Sequence, residues 1–124
     1  ELLMKVCVSA TGQTLDSPVD PRFGRAQVFI LADSESMEFE AVSNAAMTAG
    51  GGAGVKASQL IINKGVQAVL TGNVGPNAFA SLNAAGIPIY TGVSGTVREA
   101  VEKFKSGALQ AVQGPSVGDH YGSR

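Results

Sequence analysis

Two stretches of this chain combine residue type and spacing in a way that suits the holding of an anion. The first is Ala49-Gly50-Gly51-Gly52-Ala53-Gly54, which carries no side chain larger than a methyl and runs directly into a helix-like segment, Gly54 to Lys64. Glycine permits the positive φ angles that turn successive N–H groups inward, forming a concave anion nest. A helix beginning there adds the positive end of its dipole. Packing alone explains three consecutive glycines poorly, since each costs up to about 1 kcal/mol relative to alanine where alanine would fit. The segment could also be a flap that orders around its ligand. The second stretch is Asp20-Pro21-Arg22-Phe23-Gly24-Arg25. Two arginines three residues apart, in a loop stiffened by proline and turned by glycine, can clamp an anion through planar N–H forks. Alternatively they pair with Asp16 or Asp20. Lys56, one turn into the helix, is a weaker cation candidate.

Other chemistries find little support. The chain of 124 residues has one cysteine, Cys7, and one histidine, His120. They lie at opposite ends and form no zinc-ligand pattern. A nucleophile–histidine site would depend on His120 in a Gly/Ser-rich tail that cannot hold a base in place. A lone cysteine makes no internal disulfide, which points to a reducing compartment. Net charge is −1, with 15% charged residues, so the basic footprint of a nucleic-acid binder is missing. No apolar run approaches the about 20 residues of a membrane helix, and no secretory leader is evident. Met4-Lys5 reads as a natural start, and Glu1 to Leu3 stay outside the fold argument. The expectation is a cytoplasmic, non-enzymatic protein.

The elements that must position these residues are legible from period and punctuation. Met4 to Ala10 alternates as a first strand, with Cys7 either a buried, inert thiol or a thiolate ligand. Gly12 to Arg25 is a long loop. Gln27 to Ala32 is a buried strand, and Glu38 to Val42 alternates as an edge strand with one wet face. A helix follows over Gly54 to Lys64, with Val55, Leu60, Ile61 and Ile62 as its apolar set. Gln67 to Thr71 is a strand. Gly75 to Ala85 is a helix with Pro76 in its first turn and Ala78, Phe79, Leu82 and Ala85 on one face. Ile87 to Thr91 is a strand. The last helix opens with Thr96 as N-cap and Glu99 at capping-box spacing, and stops at Gly107. Leu109 to Val112 makes a last short strand, and residues 114–124 form a flexible tail. One domain over 4–113 results.

The order β-β-β-α-β-α-β-α predicts an α/β domain with a mixed sheet of about five strands, one antiparallel, between helix layers. This is a ribonuclease H-like arrangement, with a flavodoxin-like sheet as the alternative. The first strand holds no acid, so two-metal nuclease chemistry is unsupported. Ligands gather at the carboxyl ends of strands in such sheets. There the loops at Ala10–Gly12, Gly72–Asn77 and Gly92–Gly95 form a glycine rim, each leading toward a helix. The Gly50–Gly54 segment follows the outgoing third strand instead. Asn73 and Asn77 either orient a ligand or cap the second helix. No nucleotide-binding motif is present.

The series Met4 to Gly12, Asp16 to Arg25, Ala49 to Gly54, Leu70 to Ala78 and Gly86 to Tyr90 resembles, in order, the dinitrogenase iron–molybdenum cofactor biosynthesis family. The resemblance covers most of Met4 to Val112. It implies a ribonuclease H-like fold and a carrier of an iron–sulfur or iron–molybdenum–sulfur cofactor or precursor. A cofactor-biosynthesis or acceptor protein is the implied partner, with neither nucleic acid nor membrane involved. The site it implies is Arg22, Phe23, Gly24, Arg25, Gly50, Gly51, Gly52, Gly54, Asn73, Gly75 and Asn77. A small-molecule phosphate or nucleotide enzyme or sensor on the same rim is the competing reading. A protein-interaction module using the edge strand is a third.

Overall fold

Apolar runs become strands where β-branched residues dominate and helices where the apolar period lengthens. The computed structural model describes residues 4–44 and 52–115. In chain order the elements are β1 (Lys5–Ala10), β2 (Val28–Asp33), β3 (Phe39–Ser43), α1 (Ala53–Asn63), β4 (Ala68–Leu70), α2 (Pro76–Ala84), β5 (Ile89–Tyr90) and α3 (Val97–Ser106). They build one five-stranded sheet in the order β3-β2-β1-β4-β5. β2 pairs antiparallel with both β1 and β3, whereas β1–β4 and β4–β5 are parallel. The sheet is therefore mixed, and β2 is its single reversed strand, as expected. One consequence escapes the sequence: β3 runs parallel to β1. The chain leaving β3 therefore starts from the same rim as the loops after β1, β4 and β5.

A helix layer covers each face. Cys7, Phe29, Leu31, Val69 and Ile89 bury one face against Ala57 and Ile61 of α1 and Ala78 and Leu82 of α2. Val6, Val8, Ile30 and Leu70 bury the other against Val97, Ala100 and Val101 of α3. The central strands read as unbroken apolar runs because both faces are covered. Each such side chain contributes roughly 1.5–3 kcal/mol when fully buried.

Four expectations change. The stripe of α1 is Ala53, Ala57, Ser58 and Ile61, and Val55 is 39% exposed. Val55 lies about 200° around the helix from Ala53 at 100° per residue. On α2, Ala78 and Leu82 are buried but Ala85 is exposed, because it already stands at the helix end. β3 has little cover on either face, with Phe39 42% exposed, since α3 packs over β1 and not over the edge. At the opposite edge, Leu109–Val112 is a bridge and not a full strand. Ala111 pairs with Tyr90, and the Val112 N–H donates to the Ile89 carbonyl at 2.8 Å. The expected tail lies mostly outside the described residues.

Candidate functional site

The loop after β1 is pinned to the strand ends from two sides. The Asp20 N–H donates to the Ser9 carbonyl at 2.8 Å, and the Ser9 hydroxyl donates back to the Asp20 carbonyl at 2.6 Å. From the β4 side, the Phe23 N–H donates to the Asn73 carbonyl at 3.3 Å. The Asn73 side-chain amide donates to the Pro21 carbonyl, also at 3.3 Å. Gly72 lies so close that a Cβ there would sit 2.6 Å from Pro21 Cα. Phe23 is the loop's anchor, buried with its ring 5.1 Å from that of Phe29. An apolar anchor between two exposed arginines keeps Arg22 and Arg25 at the surface without letting the backbone between them wander.

Arg22 has a partner of its own. The buried Asp20 carboxylate accepts the Arg22 N–H at 2.9 Å, and Arg22 Nε approaches the same oxygen at 3.5 Å. Asp16 instead meets Arg98 at 3.1 Å. The pairing alternative thus holds for Asp20 and fails for Asp16. A further nitrogen, Nη2, reaches the Arg25 carbonyl at 3.5 Å, and the side chain as a whole remains 51% exposed.

Small residues then join this loop to two helix starts. A Cβ on Gly24 would lie 3.2 Å from Gly54 Cα, and one on Gly54 would lie 3.3 Å from both the N and the Cβ of Ala78. The arginine loop, the first turn of α1 and the first turn of α2 therefore touch in sequence. The N-cap of α1 is Gly52, in the left-handed region at φ 73°, and that of α2 is Gly75, followed by Pro76. Among the described residues neither terminus has a side-chain cap, and neither first turn holds an acid. First-turn N–H groups have no acceptor within their own helix, which leaves a local positive end. Asn73 and Asn77 do not cap α2, correcting one of the two readings kept open for them. Asn73 instead binds the arginine loop, because Gly75 with its extended backbone occupies the N-cap position.

The expected third glycine terminus is built differently. The Thr96 hydroxyl accepts the Glu99 N–H at 3.1 Å, and the Glu99 carboxylate accepts the Thr96 N–H at 2.9 Å. The N–H groups of Val97 and Arg98 donate to the carbonyls of Ser17 at 2.9 Å and Leu15 at 2.8 Å. No donor of that first turn remains for a ligand. The Gly92–Gly95 loop thus stands on the rim but leads to a closed helix start.

Of the expected site residues, Arg22, Phe23, Gly24, Arg25, Gly52, Gly54, Asn73, Gly75 and Asn77 fall on these three adjoining segments. Gly50 and Gly51 lie outside the described residues. Three contributors went unseen in the sequence. Ser9 and Thr71 form a hydroxyl pair at 2.7 Å, and Asn44 donates its side-chain amide to the carbonyls of Gly24 at 3.1 Å and Ala26 at 2.8 Å. For Ser9 and Thr71 the signal was a polar residue at the end of an apolar run; Asn44, after Ser43, carried none.

Soft metal ligands are scarce here. Cys7 is fully buried in the α1/α2 face, and burial pushes its thiol far above the ordinary range. The thiolate-ligand alternative fails for that reason, since the thiolate is the ligating form. Among the described residues no group of three or more His, Cys, Asp or Glu could hold a metal ion. His120 lies outside those residues. No helix among them is long and apolar enough to cross a membrane.

Residues 4–107 match the dinitrogenase iron–molybdenum cofactor family. The apo form of the orange protein from Desulfovibrio gigas superposes with a TM-score of 0.89 at 42% identity, covering 94% of this chain and 98% of that one. A Thermotoga protein provisionally assigned as NifB gives 0.76 at 40% identity, covering 87% and 92%. An uncharacterised protein of Methanocaldococcus jannaschii is 30% identical over 111 residues, covering 87% of this chain and 91% of the relative.

Proposed function

The chain belongs to the dinitrogenase iron–molybdenum cofactor family, and on that premise we propose that it is a non-enzymatic carrier for an anionic metal–sulfur cofactor or its precursor. One observation carries the reading: two helix starts with no side-chain cap among the described residues and a two-arginine loop are drawn together through Gly24, Gly54 and Ala78. Backbone N–H groups and guanidinium forks donate to bridging or terminal sulfides. They compensate the cluster's charge without entering its coordination sphere. With Cys7 sealed in the core, the cargo arrives with its metals already ligated by sulfide. Such a guest can be handed on without breaking a protein–metal bond, which suits delivery to a cofactor-biosynthesis or acceptor protein. The relatives support a cofactor-related role, one being known in an apo form and another being provisionally assigned as NifB. We read the sheet order as ribonuclease H-like, with nuclease chemistry unsupported because β1 holds no carboxylate, and the setting as cytoplasmic.

The test is anaerobic reconstitution of the apo protein with molybdate, iron and sulfide, followed by desalting. Protein-bound metal with visible absorption is expected, and a colourless, metal-free product would remove the carrier reading. Bare helix starts suit phosphate equally well on physical grounds. A thermal-shift series with phosphate and nucleotides separates the two, because a carrier responds to the metal–sulfur mixture and not to them.

A further inference from the structure

We infer that Ser9 and Thr71 are positioning residues for the arginine loop: their paired hydroxyls fix the Asp20 peptide and, through Asp20, the Arg22 head group. What Arg22 finally touches rests on the carrier reading; the positioning itself does not. Ser9 and Thr71 are both 0% exposed. The parallel register Val8↔Leu70, continued by one residue, sets them side by side at the ends of β1 and β4. Side chains alternate along a strand, so both share the face of Cys7 and Val69, which is the α1/α2 face. That layer is otherwise apolar, and its packing makes no use of a hydroxyl. A buried hydroxyl is costly unless it is bonded, so its presence calls for a task.

The proton order identifies the task. The Ser9 hydroxyl has one proton, and the Asp20 carbonyl at 2.6 Å can only accept it. The 2.7 Å contact between the two hydroxyls is therefore a donation from Thr71 to Ser9. Thr71 is itself immobile, with its N–H on the Tyr90 carbonyl at 3.0 Å and its carbonyl taken by the Val93 N–H at 3.1 Å. The Asp20 backbone is thus gripped at both its N–H and its C=O by Ser9. The Asp20 side chain, only 3% exposed, accepts the Arg22 N–H at 2.9 Å and meets Arg22 Nε at 3.5 Å. A rigid line runs from the end of β4 to a guanidinium at the surface.

The test uses 15N-labelled full-length protein as wild type, Ser9→Ala, Thr71→Val and Thr71→Ser. The readouts are the Arg22 Nε–H resonance and Arg22 amide exchange without ligand, and metal retained after reconstitution with molybdate, iron and sulfide. Ser9→Ala is expected to speed Arg22 amide exchange at least tenfold and to shift the Nε–H signal. Thr71→Val should do so less, and Thr71→Ser, which keeps the hydroxyl, should restore wild-type behaviour. The Val97 amide on the opposite face should stay unmoved throughout. Should Ser9→Ala fail to fold, the Thr71→Val and Thr71→Ser pair decides alone. Arg22 signals identical in wild type and Thr71→Val would overturn the inference. Arg22 signals that respond in a wild-type background retaining no metal would uphold it while removing the carrier reading.

Discussion

The amino ends of α1 and α3 rise from the same rim of the sheet and are finished in opposite ways. Both follow a glycine held at positive φ, Gly52 at 73° and Gly95 at 86°. At α3 the next residue is Thr96, and a capping box with two loop carbonyls consumes the whole first turn. At α1 the next residue is Ala53, and among the described residues no side chain caps the turn. A glycine before a helix therefore says little by itself about anions. What decides is whether the neighbouring residues spend the helix's donors on the protein. By that measure, among the described residues, α1 and α2 stay open and α3 is closed.

The sharpest way to break this contrast is Gly72→Ala, which drives a Cβ to 2.6 Å from Pro21 Cα and 2.9 Å from its carbonyl oxygen. Neither contact is a flexible side chain, so the cost should reach about 3 kcal/mol, the upper end for overpacking, and displace the arginine loop. A denaturation midpoint close to wild type would mean that the open end is not rigidly assembled. Arg22→Gln comes next. Loss of a charged donor is worth about 2 kcal/mol, or roughly 30-fold weaker retention of the cluster after desalting. Unchanged retention would take the guanidinium out of the site.

A pH titration tests whether the core thiol is as sealed as the open end requires. Burial raises the Cys7 thiol from its ordinary value of 9.0. The folded state thus keeps the proton that the unfolded chain loses. Its contribution to stability is level below about pH 9 and falls by about 1.4 kcal/mol per pH unit above it. The difference in slope between wild type and Cys7→Ala in urea unfolding at pH 9–10.5 isolates that term; parallel slopes would show the thiol reachable. The smallest effect sharpens the closed side. Thr96→Ala should cost about 1 kcal/mol of stability and leave metal retention untouched. A parallel loss of metal would mean that the two ends are coupled and the contrast false.

Much of the architecture was legible because local chemistry agrees with the tertiary result. Pro76 at the start of α2, the Thr96–Glu99 box and Gly107 at φ 81° each mark a boundary through its own backbone demands. The candidate site was legible only in part. Gly24 meets Gly54, and Gly72 meets Pro21, across long stretches of chain, and no local pattern encodes such an approach. Asn73 looked like a cap because asparagine often is one, but its amide has a better use on the Pro21 carbonyl. The Gly92–Gly95 loop misled for the complementary reason. Its composition suits an anion, while the acceptors that occupy its helix come from Leu15 and Ser17, far back in the sequence.

Gly52 carries one last implication. A Cβ built there would meet nothing within 4 Å, and yet the backbone stands at φ 73°. Space does not exclude larger residues at this position; mirror sense does. The serines, threonines and aspartates that plug helix starts do so from an extended backbone, which this bend denies them. Chirality thus bars that kind of plug at position 52, so no single codon change there can supply one without first unbending the chain.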